Sequence, residues 1–228
     1  IDITTNVGCS VRCAFCPQDK LLPAYRDRGG TRQMTFAAFR EMLRKIPPDT
    51  ALDFSGMAEP WLNPDCTEML LHAHERGYEV AAFTTTIGMD EADVARIQSI
   101  PFRRFVVHLP DTERYSKIEM SDAYLQILAN IVGSGIPNRE FMTMGTLPRE
   151  VAAVIGRRIK RTRMMSRAGN LTNVRAPERL AGPIRCRSCG DSLDHNMLLP
   201  NGDVILCCMD YGLRHVLGNL LVSDYREL

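Results

Sequence analysis

The chain has 228 residues, of which 45% are hydrophobic, and its 28 basic and 27 acidic residues leave a formal net charge of +1. This length suits one large domain, or one domain with a small addition. The balanced charge gives no electrostatic reason to expect a nucleic acid or a membrane surface as a partner, and no apolar run approaches the roughly 20 residues of a membrane span.

Segments with strand-like and helix-like patterns alternate along the chain from its start. The predicted strands cover residues 1–7, 51–56, 78–86, 103–109 and 139–146, and a last strand is predicted at 161–169. The predicted helices cover residues 35–46, 65–77, 90–100, 121–135 and 149–159. Thr35 and Ser121 are predicted N-caps, because their hydroxyls can accept a hydrogen bond from the first turn of each helix.

About six repeats of strand and helix predict an α/β fold in which helices cover a parallel sheet. Six units fall short of the eight that close a full barrel, so we expect a partial (β/α)6 barrel over residues 1–170. Residues 171–184 contain two prolines and no regular period, which predicts a linker. Residues 185–228 then form a small C-terminal unit that carries cysteines and a β-hairpin.

The eight cysteines are distributed unevenly, and seven of them fall into two tight groups near the two ends of the chain. The first group is Cys9, Cys13 and Cys16, and the second is Cys186, Cys189, Cys207 and Cys208. A disulfide-stabilised chain usually spreads its cysteines through a small secreted domain. Clusters with such short gaps instead indicate metal ligation in a reducing compartment, so we expect a cytoplasmic protein. Cys66 stands alone in a predicted helix and is expected to be a buried structural cysteine.

The first cysteine group predicts a metal site with one coordination position that no cysteine of the loop fills. Thiolates are the natural ligands of iron–sulfur clusters and of zinc, but a structural zinc site takes four protein ligands. Three cysteines in one loop therefore leave one coordination position for a small molecule. The loop follows the first predicted strand, and α/β folds place their active sites at the carboxyl ends of the strands.

The spacing Cys-x3-Cys-x2-Cys, with Phe15 just before the third cysteine, resembles the signature loop of the radical S-adenosylmethionine (AdoMet) superfamily, the radical SAM superfamily. The resemblance implies that the three cysteines hold a 4Fe-4S cluster whose fourth iron binds AdoMet. It also implies reductive cleavage of AdoMet to a 5′-deoxyadenosyl radical, which takes a hydrogen atom from the substrate. An electron donor such as flavodoxin or ferredoxin is then the expected partner.

The stretch "DFSGMAEPWLNP" resembles the Gly-Gly-Glu region with which this superfamily binds the methionyl ammonium group of AdoMet. The residues that carry the resemblance are Gly56, Met57, Ala58 and Glu59. Glycine allows a close approach to the backbone, and an ammonium group binds carbonyl or carboxylate oxygens. Met57 departs from the usual glycine, which puts the details of the backbone contact in doubt.

Three polar residues follow the next predicted strands. Thr85 ends the third strand and His108 ends the fourth, where the superfamily places contacts to the ribose and the carboxylate of AdoMet. Asp111 follows in "HLPDTERY" and is a candidate catalytic residue together with His108. A structural role for the histidine, and a turn-forming role for an aspartate after proline, are the simpler interpretations.

The second cysteine group surrounds a predicted hairpin. Asn201-Gly202 is a strong turn signal between two strand-like runs, so the hairpin brings Cys207 and Cys208 back toward Cys186 and Cys189. Neighbouring residues on a strand point to opposite faces, so Cys207 and Cys208 can ligate the same metal only if a bulge intervenes. From the residues alone, zinc and a second iron–sulfur cluster are both open.

"NGDVILCCMD" and the residues after it resemble the start of a SPASM domain, which holds auxiliary clusters in many radical SAM enzymes. The chain ends twenty residues after Cys208 without further cysteines, so we expect a truncated, twitch-like unit with one auxiliary cluster of the 4Fe-4S type. The expected ligands are Cys186, Cys189 and Cys207. Cys208 is the fourth ligand, a substitute for Cys207, or a free thiol that could act as a catalytic hydrogen donor.

Two classes of function follow from these patterns. The first is a radical SAM oxidoreductase or epimerase that acts on a small polar molecule of the sugar or aminocyclitol kind, with maturation of a ribosomally made peptide as the alternative. The second is a non-catalytic, zinc-stapled binding module. The binding-module hypothesis gives the first cysteine loop only three of the four ligands that a structural zinc site takes. It also does not explain the α/β alternation.

Overall fold

The computed structural model describes residues 1–156, 159–164, 166–171 and 195–228. The strands in these ranges are β1 (Asp2–Ile3), β2 (Leu52–Phe54), β3 (Val80–Thr84), β4 (Arg104–His108), β5 (Arg139–Thr143), β6 (Lys160–Arg161), β7 (Met197–Leu198), β8 (Asp203–Ile205) and β9 (Val216–Asn219). The helices are α1 (Gln18–Arg28), α2 (Phe36–Leu43), α3 (Cys66–Glu75), α4 (Glu91–Ile97), α5 (Asp122–Gly133) and α6 (Arg149–Ile155). Short 3-10 turns lie at Pro60–Leu62, Arg167–Gly169 and Tyr225–Glu227.

All nine strands belong to one open sheet in the order β6-β5-β4-β3-β2-β1-β7-β8-β9. Strands β1 to β7 pair with their neighbours in parallel. Strand β8 pairs antiparallel with β7 to form a hairpin, and β9 pairs antiparallel with β8 at the edge of the sheet. The predicted α/β fold with a partial, unclosed barrel is confirmed. The C-terminal strands continue the same sheet, because β7 pairs directly with β1.

The predicted helices are present, with shorter ends than expected. The Thr35 hydroxyl accepts a hydrogen bond from the backbone N–H of Ala38, and the Ser121 hydroxyl accepts one from Tyr124, so both predicted N-caps are confirmed. Each cap satisfies a backbone donor that has no partner inside the helix, which is why these two residues begin the helices.

Three differences from the sequence prediction concern the ends of the sheet and the first loop. Helix α1 was not predicted; its signal is the four-residue spacing of Leu21 and Tyr25, which are both buried, and Pro23 inside it obscured the pattern. The first strand is shorter than predicted, because residues 5 to 7 turn away to bond with residues 32 to 34. The last predicted strand is reduced to Lys160–Arg161.

Alternation along the strands divides the sheet into two faces. One face packs against helices α2 to α6 and forms the main hydrophobic core, with Ile3, Phe54, Phe105 and Phe141 among its residues. The other, here called the inner face, carries the residues between them, such as Asp2, Asp53, Arg104 and Glu140. A second hydrophobic cluster lies between β7, β8 and helix α1.

Helix α5, at twelve residues, is the longest described, and none of the described helices has the length and apolar character to cross a membrane.

Candidate active site

The first cysteine loop connects β1 to helix α1, at the carboxyl end of the first strand. Cys9, Cys13 and Cys16 are all partly exposed there. Two residues of the loop take left-handed backbone conformations, Gly8 with φ 102° and Arg12 with φ 50°. A left-handed conformation is unusual for arginine, and such conformations are frequent where a loop must present several groups toward one point.

Each of the three sulfurs meets an N–H donor. The backbone N–H groups of Val11 and Glu59 point to Cys9, and that of Lys117 points to Cys13. The side-chain amide of Gln18 donates to the sulfur of Cys16 at 3.4 Å. A metal-bound cysteine is an anion that accepts hydrogen bonds, so this set of donors suits thiolate ligands.

The thiols of this loop need a cation to ionise. Burial, followed by the nearby thiols, raises the pKa of Cys13 to about 12, and burial also raises the pKa of Cys9. A bound metal reverses this preference, because ligation requires the thiolate. The three sulfurs do not all lie within 4.8 Å of one another, so they do not form a ready-made site for one ion. Thiolates are the ligands that iron–sulfur clusters take, so the chemistry of these three residues fits such a cluster.

Glu59 forms the centre of a buried network next to this loop. Its Oε1 accepts hydrogen bonds from the Thr84 hydroxyl (2.5 Å) and the Trp61 N–H (3.4 Å). Its Oε2 accepts from the N–H (2.5 Å) and the hydroxyl (2.6 Å) of Thr85. A carboxylate has about four acceptor positions, and these four donors use them. Burial raises the pKa of Glu59, and the hydrogen bonds from the threonines oppose that rise.

The turn after β2 is packed tightly against β1. Gly56 has φ 87°, and a Cβ atom on it would lie 2.1 Å from Oγ1 of Thr4. The same hydroxyl accepts a weak hydrogen bond from the N–H of Met57 (3.4 Å). The carbonyl of Met57 accepts a hydrogen bond from the Gln18 amide at 2.7 Å. Gln18 therefore connects this turn to Cys16.

The departure at Met57 has a packing explanation. Its side chain is 1% exposed and belongs to the second hydrophobic cluster, between helix α1 and strands β7 and β8. Ala58, the other residue between Gly56 and Glu59, is partly exposed in the same turn. A methionine can replace glycine here because its side chain fills the space under the C-terminal strands.

Strand β3 ends in a strained turn. Thr86 has φ 65°, which is an outlier for a β-branched residue, and its N–H donates to the Thr84 hydroxyl at 2.7 Å. The Thr86 hydroxyl is buried without a hydrogen-bond partner in the described structure. Strain of this kind persists where the surrounding contacts hold it, and it is frequent at ligand sites.

His108 ends β4 on the inner face. Loss of water around the ring, and secondarily the charge of Arg167, lower the pKa of His108 to about 4. Its imidazole is therefore uncharged at neutral pH.

Asp111 is buried, and its carboxylate is occupied by its own loop. It accepts hydrogen bonds from the N–H of Tyr115 (2.8 Å) and from the N–H and the hydroxyl of Ser116 (2.9 and 3.0 Å). This is the turn-forming arrangement that the sequence suggested as the simpler interpretation. The loop that Asp111 holds in shape packs on the first cysteine loop, because the carbonyl of Tyr115 accepts from the N–H of Ala14 (2.8 Å).

The predicted hairpin of the C-terminal unit is confirmed, and Gly202 is its left-handed residue, with φ 90°. Strand β8 ends at Ile205, so Cys207 and Cys208 lie beyond the strand and the alternation assumed for them does not apply. The two thiols interact directly; desolvation, and then the neighbouring Cys207, raise the pKa of Cys208 to about 12. Cys186 and Cys189 lie outside the described residues.

Charged side chains occupy the inner face near the start of the strands. Asp2 and Asp53 lie side by side in register on β1 and β2, and both are more than nine-tenths buried. His195 bonds to Asp2 (2.8 Å), and Arg103 pairs with Asp53. In the described part of the chain, these two aspartates and His195 are the one group of three possible ligands within 4.8 Å. The hydrogen bond and ion pairs account for the group without an ion.

A further ion pair extends this polar surface across the sheet. Arg104 donates to both carboxylate oxygens of Glu140, at 2.8 and 3.0 Å, and its guanidinium lies 5.3 Å from the centre of the Phe83 ring. The inner face therefore combines paired charges with an aromatic ring.

Four residues of the site escaped the sequence analysis: Thr4, Gln18, Arg167 and Tyr211. Gln18 had a signal, because it stands two residues after Cys16 at the start of a helix. Arg167 stands in "SRAGN" (166–170), which resembles the segment leading into a SPASM domain, but that resemblance predicts no contact with the first loop. Tyr211 had no signal, since it reaches the first loop only through the fold. The Arg167 guanidinium lies 5.5 Å from the centre of the Phe15 ring and donates to the Tyr211 hydroxyl at 3.1 Å.

Comparison with known protein families gives one match, to the radical SAM superfamily, over residues 3–154. A search of curated proteins found no match.

Several solved structures are similar. The crystal structure of BtrN in complex with AdoMet and 2-DOIA superposes with a TM-score of 0.67 at 13% identity, and the alignment covers 99% of this chain and 79% of that one. Native anSMEcpe with bound AdoMet gives 0.60 at 11% identity, with 99% and 79% covered. Streptococcus suis SuiB bound to precursor peptide SuiA gives 0.61 at 12% identity, with 98% and 62% covered. At these identities the likeness concerns the fold.

Proposed function

This chain belongs to the radical SAM superfamily, and we propose that it is an AdoMet-dependent enzyme that dehydrogenates or epimerises a small polar molecule of the sugar or aminocyclitol kind. The observation that carries the substrate class is the polar inner face of the sheet. Two buried aspartates, His195 and the Arg104–Glu140 pair make this face polar near the start of the strands. The uncharged imidazole of His108 continues it to the carboxyl end of β4, where a polar substrate would find a hydrogen-bond partner.

The residues proposed to hold the cofactors are those of the site described above. Cys9, Cys13 and Cys16 would ligate a 4Fe-4S cluster, with Phe15 packed beside it. The turn Gly56–Glu59 would receive the methionyl ammonium group of AdoMet, and Thr85 and His108 would contact its other polar groups. When bound, the cluster and AdoMet supply reductive cleavage of a carbon–sulfur bond and removal of a hydrogen atom from the substrate.

Glu59 supports this site mainly by ordering it. Its carboxylate holds the ends of β2 and β3 together through Thr84, Thr85 and the backbone of Trp61. Its negative charge also favours a cation at this point, although burial opposes ionisation. A bound ammonium group would then share the carboxylate with these donors and bind the neighbouring backbone carbonyls.

His108 contributes an uncharged imidazole to the inner face. Because its pKa is lowered to about 4, it exchanges few protons near neutral pH. We assign it a hydrogen-bonding role toward AdoMet or substrate. Asp111 is proposed to act indirectly, through the loop that it shapes over Cys13 and Ala14.

The C-terminal unit is proposed to hold an auxiliary iron–sulfur cluster on Cys186, Cys189 and Cys207. Such a cluster would accept the second electron of a dehydrogenation, which requires removal of two electrons and two protons from an alcohol or amine. Epimerisation is the second candidate reaction. It is supported by Cys208, whose exposed thiol stands next to the proposed ligand Cys207 and is accessible as a hydrogen-atom donor.

The class of chemistry is tested by anaerobic reconstitution with iron and sulfide, followed by dithionite and AdoMet. We expect about eight irons per chain, as two 4Fe-4S clusters require, and formation of 5′-deoxyadenosine. Cys13→Ala should abolish 5′-deoxyadenosine, whereas Cys66→Ala, which removes a buried thiol at the start of α3, should retain it. Zinc without iron in the wild type would contradict the proposal and support the binding module.

The substrate class is tested with deuterated compounds. Transfer of deuterium into 5′-deoxyadenosine from a ring polyol or aminocyclitol supports the proposal, and a carbonyl product identifies dehydrogenation. Retention of the oxidation state with solvent hydrogen at the reacting carbon identifies epimerisation, and Cys208→Ala should then fail to complete it. Transfer only from a precursor peptide would contradict the small-molecule substrate and support peptide maturation.

A further inference from the structure

The segment 166–171 reaches from the end of the partial barrel to the first cysteine loop. The Asn170 amide donates to the carbonyl of Ala14 at 3.0 Å, inside that loop. The Lys20 ammonium, on helix α1, donates to the carbonyl of Ala168 at 2.6 Å. Two hydrogen bonds from different elements therefore hold this segment over the loop.

The backbone of the segment is strained at the point of contact. Ala168 has φ 47°, a left-handed conformation that a residue with a Cβ atom seldom adopts, and Gly169 follows with φ 70°. Two consecutive left-handed residues make a sharp turn, and the hydrogen bonds on both sides maintain it. The turn presents the side chain of Arg167 toward the loop.

Arg167 lies between Cys16 of the first cysteine group and Cys208 of the second. Its guanidinium stacks over Phe15, next to Cys16, and donates to the hydroxyl of Tyr211 at 3.1 Å. Tyr211 follows the second cysteine group by three residues and is 1% exposed. The guanidinium also interacts electrostatically with the thiols of Cys16 and Cys208.

The charge of Arg167 has no carboxylate partner in the part of the chain that the structure describes. The ion pairs there join other residues, for example Arg28 with Asp203 and Arg104 with Glu140. The groups near Arg167 that can carry negative charge are therefore the cysteine sulfurs and the Tyr211 hydroxyl. That hydroxyl faces both Arg167 and Cys16. An unpaired cation at this place acts on whatever negative charge the cysteines carry.

We infer that Arg167, held by Tyr211, is a positioning residue through which the C-terminal unit sets how readily the iron–sulfur cluster of the first loop accepts an electron. Reduction adds one negative charge to the cluster, and a nearby fixed cation stabilises that charge. Net charge, hydrogen bonds to sulfur and solvent exposure are the properties by which a protein sets the potential of such a cluster. Arg167 acts through the first of these properties, because its positive charge lies near Cys16.

The inference rests on the proposed function, because it requires a cluster on Cys9, Cys13 and Cys16. The test is a redox titration of the reconstituted full chain, followed by electron paramagnetic resonance. The signal of the first cluster is identified as the one that changes when AdoMet is added. This readout measures the ratio of reduced to oxidised cluster and does not depend on turnover.

In Arg167→Met, which removes the charge and keeps much of the bulk, we expect that ratio at a fixed potential to fall about tenfold, equivalent to about 59 mV for a one-electron couple. Arg167→Lys keeps the charge but not the stacking, so the ratio of reduced to oxidised cluster should fall less than in Arg167→Met. Arg161→Met removes an exposed arginine of β6 and serves as the matched control, with the ratio unchanged.

An unchanged ratio in Arg167→Met, with the AdoMet-sensitive signal present, would overturn the inference and leave the proposed function intact. If Arg167→Met takes up no iron, Tyr211→Phe is the deciding variant. It keeps the charge of Arg167 but removes the hydrogen bond that holds it, and the ratio of reduced to oxidised cluster must fall there too. A wild-type protein that forms no cluster would overturn the proposed function and this inference together.

Discussion

Gly56 and Thr4 are packed so closely that a Cβ atom on Gly56 would lie 2.1 Å from Oγ1 of Thr4 and 3.1 Å from its Cα atom. The contact joins the end of β2 to the residue just after β1. The turn that carries Met57, Ala58 and Glu59 is therefore held against the strand that leads into the first cysteine loop. The Cβ and Cα atoms of Thr4, at 3.0 and 3.1 Å, cannot rotate aside as the hydroxyl can, so only glycine fits.

Gly56→Ala tests this contact. We expect a loss of about 2 to 4 kcal/mol in the free energy of unfolding, from the left-handed backbone and from overpacking. Gly77→Ala is the matched control, because Gly77 has nearly the same φ, 86° against 87°, with no atom within 4 Å of the added Cβ. It should lose only about 1 kcal/mol. Equal losses in the two variants, measured by chemical denaturation, would mean that the contact with Thr4 contributes nothing.

Glu59→Gln should weaken both the fold and the binding of AdoMet. In either orientation, the amide nitrogen of glutamine faces the backbone N–H of Thr85 or of Trp61, so two donors meet without an acceptor. A backbone N–H cannot reorient as a hydroxyl can. One buried donor without a partner costs about 1 to 3 kcal/mol. We expect AdoMet affinity to fall at least about tenfold, which is ~1.4 kcal/mol.

The control for Glu59→Gln is Glu68→Gln. Glu68 forms an exposed ion pair with Arg96 at 2.6 Å, and such pairs contribute about 0 to 1 kcal/mol. Calorimetric titration with AdoMet should not distinguish this variant from the wild type. If Glu59→Gln binds AdoMet as well as Glu68→Gln does, the buried carboxylate has no part in the cofactor site.

Asp111→Asn should loosen the loop that covers the first cysteine loop. One oxygen of Asp111 accepts from Ser116 twice and the other from Tyr115, so an amide group leaves at least one N–H without an acceptor. We expect a loss of about 1 to 3 kcal/mol and lower iron content after reconstitution. Ser116→Ala removes the hydroxyl, which donates to Asp111 and to the carbonyl of Leu109, but leaves both backbone donors to Asp111 paired, so it should have a smaller effect on both. A fully loaded Asp111→Asn variant would show that the loop does not support the cysteines.

Stability should depend on pH through His195. The hydrogen bond to Asp2 raises the pKa of His195 above its ordinary value of 6.5. Because the folded state holds this proton more tightly, the contribution is complete below about pH 6.5. It disappears as the pH rises through the raised pKa. The imidazole is 40% exposed, so solvent limits the effect to about 1 kcal/mol at most.

Denaturation of the wild type and of His195→Gln from pH 6 to 9 checks this expectation. The difference in unfolding free energy should be largest at the acid end and should shrink toward pH 9. Asp2→Asn removes the negative charge that favours the protonated imidazole and should give the same trend. A difference that grows with pH would mean that the imidazole contributes in its neutral form.

Much of the fold is readable from local patterns. The strands β2 to β5 and the helices between them follow apolar periodicity and capping residues, which act over a few neighbouring positions. Helix α1 was not predicted from the sequence, because its apolar face has only two residues and the pattern is interrupted by Pro23 and by charged residues. Residues 5 to 7 look like a strand and still leave the sheet, because residues 32 to 34 compete for their backbone groups.

The same distinction applies to the site. The three cysteines of the first loop are close together in the chain, so their spacing alone indicates an open metal site. The turn from Gly56 to Glu59 is also contiguous, and its resemblance to the Gly-Gly-Glu region implies an ammonium-binding site beside it. The placement of Arg167 and Tyr211 against Cys16 is different in kind. It depends on the pairing of β7 with β1 and on a strained turn at Ala168, and no short-range pattern encodes either. Side chains distant in sequence meet only after register and packing have brought their backbones together, and that is a property of the whole sheet.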